Sequence, residues 1–194
     1  LEYRFEDAFH VVHLGDDPGI AEARGKRERN LSLLQQSLSV APEDPHLRYQ
    51  LAREQYAAGD FAEAMVGFRW VIREGFASTL VLNCYLFGSE CLRAEGRPKE
   101  AMAFALEGTE LAPDYGELWF TFARAALEAG ERYKAHAGFQ RAVRTPSGLA
   151  SIAFRAPSIA AWRANLGRAQ SLLSLQNVRE AVDLLVDVRI RMPE

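Results

Sequence analysis

One interval pattern constrains this chain more than any other property. A turn glycine is followed five residues later by an alanine, and four residues beyond that by a further apolar residue. The pattern reads Gly59–Ala64–Phe68, Gly96–Ala101–Ala105 and Gly130–Ala135–Phe139. A degenerate fourth copy puts Gln176, Ala181 and Leu185 at matching places. The four alanines stand 37, 34 and 46 residues apart, a period near that of paired-helix repeats. Such a chain is expected to be all-α, a right-handed α–α superhelix of stacked helix pairs. No pair buries its apolar face alone, so stacking supplies the core.

The predicted pairs are Asp44–Ala58 with Phe61–Arg73, Thr79–Ala94 with Pro98–Leu111, Tyr115–Ala129 with Arg132–Arg144, and Ser158–Leu175 with Val178–Arg191. They define units near residues 44–75, 79–112, 115–145 and 158–192. Asp44 before Pro45 marks a helix start, because the carboxylate caps and the proline sits where its missing N–H costs nothing. Asp60 with Glu63, Asp114 with Glu117 and Asn177 with Glu180 have the spacing of capping boxes. Ala64, Ala101, Ala135 and Ala181 are expected where helices cross closely. Phe68, Phe139 and Leu185 are expected to fill the space between units, and truncating such an aromatic costs on the order of 3–5 kcal/mol.

Upstream, Ala21–Val40 reads as an amphipathic helix with Leu31, Leu34 and Leu38 on one face. It is expected to cap the stack as a half-repeat, so that the helical domain spans 21–194 and residues 1–20 form an extended linker or tail. The insert at 145–157 stretches the last interval. It reads as a loop folded over the groove with Ile152 and Phe154 as anchors, ahead of Trp162 at the joint between units three and four.

Composition narrows the function classes. With 194 residues, 48% of them hydrophobic, the chain can bury a real core. Its 23 Lys+Arg against 26 Asp+Glu leave a net charge of −3 with both signs interspersed, so no nucleic-acid partner is expected. The apolar runs fall short of a membrane span, and no signal-peptide pattern opens the chain. Cys84 and Cys91, seven apart on one predicted helix, lie about two turns from each other, too far for a disulfide. They read as small apolar groups in a reduced, cytoplasmic protein.

Chemistry-bearing motifs are missing. No phosphate loop, nucleophile elbow or metal-ligand spacing is present, and His10, His13, His46 and His136 are scattered. No catalytic residue, metal or cofactor is therefore expected, and the chain does not read as an enzyme. A groove reads better. First helices of stacked units line its concave side, bringing Tyr49, Arg53 and Tyr56 beside Asn83, Leu86 and Arg93, then Phe120 and Arg124, then Arg163. Two readings of the four arginines stay open. They bind carboxylates of a protein or peptide partner, or they pair with Glu54, Glu90, Glu117 or Glu128 on neighbouring helices.

The repeats resemble the tetratricopeptide repeat (TPR). Tyr85 and Trp119 match its first-helix aromatic, Leu51-Ala52 and Phe122-Ala123 its large–small pair, and Pro113 and Pro193 its closing proline. Unit one departs by carrying Arg48-Tyr49 near the aromatic position, and unit four lacks the turn glycine. The resemblance covers roughly residues 45–194 and implies an interaction scaffold. The groove arginines do not reproduce the Lys/Asn set of the carboxylate clamp that binds chaperone tails.

A narrower stretch is similar to the junction between catalytic domain and repeats in bacterial family 2 glycosyltransferases. Val12-His13-Leu14-Gly15, Lys26, Arg29-Asn30 and Leu33-Leu34 carry it, followed by Pro42–Pro45, Leu51-Ala52, Tyr56, Gly59-Asp60 and Ala64. The resemblance implies that residues 1–20 end a transferase domain, with His10 and His13 either near a sugar-nucleotide site of the parent or on an extended surface segment. It further implies a repeat module that positions a protein or glycan acceptor or mediates self-association. The alternative is a free-standing TPR adaptor.

Overall fold

The computed structural model describes residues 25–75, 78–145 and 157–191; the side chains of 26, 78, 157–162 and 187–191 are outside that description. Among the described residues the chain is nine α-helices with no strand: α1 (Lys26–Val40), α2 (Pro45–Ala58), α3 (Phe61–Arg73), α4 (Ser78–Ala94), α5 (Pro98–Leu111), α6 (Gly116–Glu128), α7 (Arg132–Arg144), α8 (Pro157–Ser174) and α9 (Val178–Arg191). Each helix packs on the next, and the first helices α2, α4, α6 and α8 also touch in series. No contact joins helices further apart than that among the described residues. This short-range pattern is a solenoid and not a closed bundle.

The expected all-α repeat architecture is therefore the fold. The expected linker at 1–20, the start of the capping helix at Ala21–Arg24, the insert at 146–156 with its anchors Ile152 and Phe154, Pro193 and the Trp162 side chain lie outside the described residues.

The turn glycines explain the pair geometry. Gly59, Gly96 and Gly130 hold φ of 90°, 72° and 79°, the left-handed region that a side chain disfavours. Each closes a two-bond helix stop. At the first, the Gly59 N–H donates to the Tyr56 carbonyl at 3.1 Å and the Asp60 N–H to the Gln55 carbonyl at 2.9 Å. Gln176 takes the same role in unit four at φ 62°, with the Asn177 N–H donating to the Leu172 carbonyl at 3.0 Å.

Two of the expected capping boxes do not form. Asp60 has ψ of 64°, and its side chain makes no capping bond to α3. Asp114 fails differently: α6 begins at Gly116, so Tyr115 occupies the cap position, and Glu117 is buried. Asn177 does cap, its side-chain oxygen accepting the Glu180 N–H at 3.4 Å while its amide donates to the Glu180 carboxylate at 2.8 Å. Asp44 caps as expected, accepting from the His46 and Leu47 N–H groups at 2.8 and 3.2 Å.

Close packing follows the small residues. Ala64, Ala101, Ala135 and Ala181 are fully buried, and so are Ala52, Ser89 and Ala123, which stand twelve residues before the first three alanines. Ser89 keeps its hydroxyl satisfied by donating to the Ala101 carbonyl across the pair at 3.3 Å. Glycine adds further close approaches: a Cβ on Gly67 would stand 2.8 Å from that of Ala52.

Unit one replaces its missing aromatic by exchanging partners. The Arg48 guanidinium lies 4.3 Å from the centroid of Trp70, across the pair. In unit three, Trp119 occupies the first-helix position and Arg141 the second, 4.4 Å apart. The same cation–π contact is made with its two members swapped, worth about 0.5–2 kcal/mol. Cys84 and Cys91 are buried and unbonded within the core, and burial pushes both thiols up to about 12.

Candidate functional site

The face made by the first helices divides into three stretches. At the joint of units one and two, Phe87 of α4 gathers the residues of α2. Tyr56 meets its ring edge-on at 5.4 Å, Arg53 lies 5.0 Å from its centroid, and Phe68 stacks behind it at 6.1 Å. Tyr49 packs on Phe68 at 6.1 Å, and burial pushes its phenol up to about 12 although Arg53 opposes the shift. Burial, reinforced by the Glu90 charge, raises Tyr56 as well. This stretch is filled by its own rings.

The middle stretch is closed by charge. The Arg93 Nε donates to the Glu128 carboxylate of α6 at 2.9 Å, and its terminal nitrogens bond Glu128 and Glu90. Arg124 reaches back from α6 to Glu90 at 3.3 Å. Glu90 and Glu128 thus hold Arg93 from both sides. Leu86 is core, 5% exposed, which removes it from the groove surface, and Asn83 is half-buried. Phe87, the next residue along α4, takes the place facing α2 that the sequence reading gave to Leu86.

Beyond Glu128 the face opens. A cavity of about 430 Å³ is lined by Phe120, Arg124, Leu127 and Glu128 of α6, Phe139 of α7, and Arg163, Leu166, Gly167 and Gln170 of α8. Three of the expected groove residues, Phe120, Arg124 and Arg163, meet here. The floor is apolar: Phe120 packs edge-on against Phe139 at 5.8 Å. Gly167 makes the floor possible, since a Cβ there would stand 2.4 Å from the Phe139 ring. In repeat register Gly167 is the counterpart of Phe87, and Phe139 the counterpart of Phe68. One joint carries a second ring where the other carries bare backbone.

A second cavity, of about 620 Å³, lies between α1 and α2, lined by Asn30, Leu33, Leu34, Ser37, Leu47, Gln50, Arg53, Glu54 and Ala57. Sequence reasoning missed it. Its signal was Leu33, which stands outside the Leu31–Leu34–Leu38 face and is 53% exposed. Asn30 ties the two helices together by donating to Glu54 at 3.3 Å.

His136 lies away from the groove. Its Nδ1 is 3.1 Å from the buried Ser171 hydroxyl of α8, and its Nε2 is 3.1 Å from the Gln140 amide. Desolvation lowers its pKa, the Arg168 charge adds to that, and Glu180 opposes it. Among the described residues no group of three His, Cys, Asp or Glu side chains could hold a metal ion. None of the described helices is long and apolar enough to cross a membrane.

Comparison with solved structures places this architecture. MamA of Desulfovibrio magneticus superposes with a TM-score of 0.70 at 16% identity, covering 87% of this chain and 87% of that one. YrrB, a TPR protein with an unusual peptide-binding site, superposes with a TM-score of 0.64 at 16% identity, over 89% of this chain and 83% of its own. A TPR protein of Thermus thermophilus gives 0.54 at 22% identity, over 88% and 90%. The fold is TPR-like, and at these identities the likeness concerns the fold alone. No protein-family model matches the chain, and no curated protein matches it. The likeness to a glycosyltransferase junction finds no support in these comparisons, and residues 12–24 of that stretch lie outside the described residues.

Proposed function

We propose that the chain is a non-catalytic interaction module that holds a peptide along its first-helix face. The pocket between α6, α7 and α8 takes one apolar side chain of that peptide, with a neighbouring carboxylate on Arg124 and Arg163. The observation that carries this reading is the pocket itself. Phe120, Leu127, Phe139 and Leu166 line the cavity together with Arg124 and Arg163, a combination of apolar area and planar donors of the kind that anchors interfaces. Arg93 drops out of the recognition set, because it does not line the pocket and is held by Glu90 and Glu128. A groove that receives peptides is consistent with the YrrB likeness.

A displayed library of random peptides tests the reading. Selected sequences should pair a Leu, Ile or Phe with an adjacent Asp or Glu. Arg163→Glu should weaken the best of them by tenfold or more, and Arg53→Ala should leave it unchanged. Equal affinity of the Arg163→Glu variant would sink the assignment.

Attachment to a family 2 glycosyltransferase rests on the residues between Val12 and Ala64. A nucleotide-sugar domain encoded upstream of Leu1 would support it, together with a glycan acceptor as the partner. A start codon there would select the free-standing adaptor instead.

A further inference from the structure

The repeat register shows which positions of a unit touch the unit that follows. On first helices it is the residue four beyond the small one. Tyr56 meets Phe87 of the next unit and Arg93 meets Glu128 of the next. On second helices, besides the residue four after the alanine (Phe68, Phe139 and, in the last pair, the half-buried Leu185), it is the residues three before and one after it. The Met65 sulfur lies 3.1 Å from where a Cβ on Gly88 would stand, His136 faces Ser171, and Arg132 donates to the Ser174 carbonyl at 2.8 Å. In the last described pair, the positions other than Leu185 are Leu173, Val178 and Val182. They are 45%, 57% and 49% exposed, and Val186, one turn on, is 54% exposed. This pair presents an apolar stacking face where the inner pairs make contacts.

We propose that a second copy of this chain covers that face, with α9 packing antiparallel to α9 of the partner across a two-fold axis. The charges beside the valine stripe select this occupant. Arg179 and Asp183, both exposed, lie one turn apart along its polar border. Antiparallel pairing sets Arg179 opposite the partner's Asp183 and the reverse, whereas parallel pairing would set like charge against like. A self-complementary patch of this kind is what an isologous dimer requires. The charge pairs fix orientation, and the valines supply the buried area. One helix face per copy lies at the small end of specific interfaces, so dissociation in the micromolar range is expected. The proposal concerns a different surface from the groove and stands independently of it.

Sedimentation of the 194-residue chain over a concentration series, with circular dichroism as the check on folding, tests it. The native chain should shift from monomer to dimer as concentration rises. Val182→Glu should weaken dimerisation by at least tenfold with helicity unchanged. Arg179→Asp and Asp183→Arg should each weaken it alone, and mixing the two single variants should restore association as a heterodimer. A chain that stays monomeric throughout, as it would if a further helix of a longer protein belonged on this face, overturns the proposal. So does a dimer indifferent to Val182→Glu, or two charge variants that fail to recover on mixing.

Discussion

The joint between α2, α3 and α4 and the joint between α6, α7 and α8 are built on one plan and end differently. In both, a phenylalanine four residues after the crossing alanine, Phe68 or Phe139, projects toward the next first helix. At the earlier joint it meets the Phe87 ring, which Tyr56 and Arg53 then cover. At the later joint it seats against the backbone of Gly167, and the space beside it stays open. Two ring positions, Phe87 against Gly167 and Tyr56 against Leu127, separate a sealed joint from a pocket. A helical repeat can thus gain a binding site without changing its fold, by deleting rings from a place where the lattice already brings aromatics together.

The largest test of this contrast is truncation of the two phenylalanines. Phe68→Ala and Phe139→Ala should each cost about 3–5 kcal/mol in chemical denaturation, with Phe68 toward the upper end because rings surround it on two sides. A Phe139 loss clearly greater than that of Phe68 would contradict the picture of an open later joint.

Gly167→Ala should cost about 1–3 kcal/mol through overpacking against Phe139, less roughly 1 kcal/mol that alanine returns to a helix interior. The same substitution should reduce peptide capture in the pocket. Unaltered stability and capture together would show that the glycine does not set the floor.

Gln176→Gly compares the turns of the two ends. It should stabilise the chain by about 0.5–1 kcal/mol, relieving a left-handed side chain that Gly59 avoids. A lower thermal midpoint would indicate that the Gln176 side chain makes a compensating contact.

The smallest effect separates His136 from its register counterpart Met65. Its folded pKa lies below the ordinary histidine value of about 6.5. The unfolded chain therefore takes up a proton first as pH falls. Stability from this group is present above that value and declines below it until the folded pKa is passed. A pH series of denaturation midpoints should show this decline, and His136→Gln should flatten it.

The sequence exposed the backbone plan and hid the joint chemistry. Turn glycines and buried alanines are legible because left-handed φ and close helix crossings admit few residue types, and both recur at fixed spacing. Helix bounds followed to within a residue or two for the eight paired helices. Asp60 misled because its spacing to Glu63 matches a capping box while its side chain makes no capping bond to α3, although Asn177 at the same register position does cap α9. The Arg48–Trp70 contact was invisible because the exchange of partners with Trp119 and Arg141 shows only when opposite helices are aligned. Of the groove arginines, the sequence could not choose between a partner and neighbouring glutamates, since that depends on distances across units. The structure gives Arg93 to Glu90 and Glu128 and lets Arg124 share Glu90, while Arg124 and Arg163 also line a pocket.

The paired thiols of α4 carry a practical consequence. Cys84 and Cys91 sit two turns apart in the centre of the stack, fully covered and strongly disposed to stay protonated. A thiol-reactive dye added to the intact molecule would find nothing to modify until that helix comes loose. Labelling kinetics at this native pair would time the breathing of the middle of the solenoid, separately from fraying at either end.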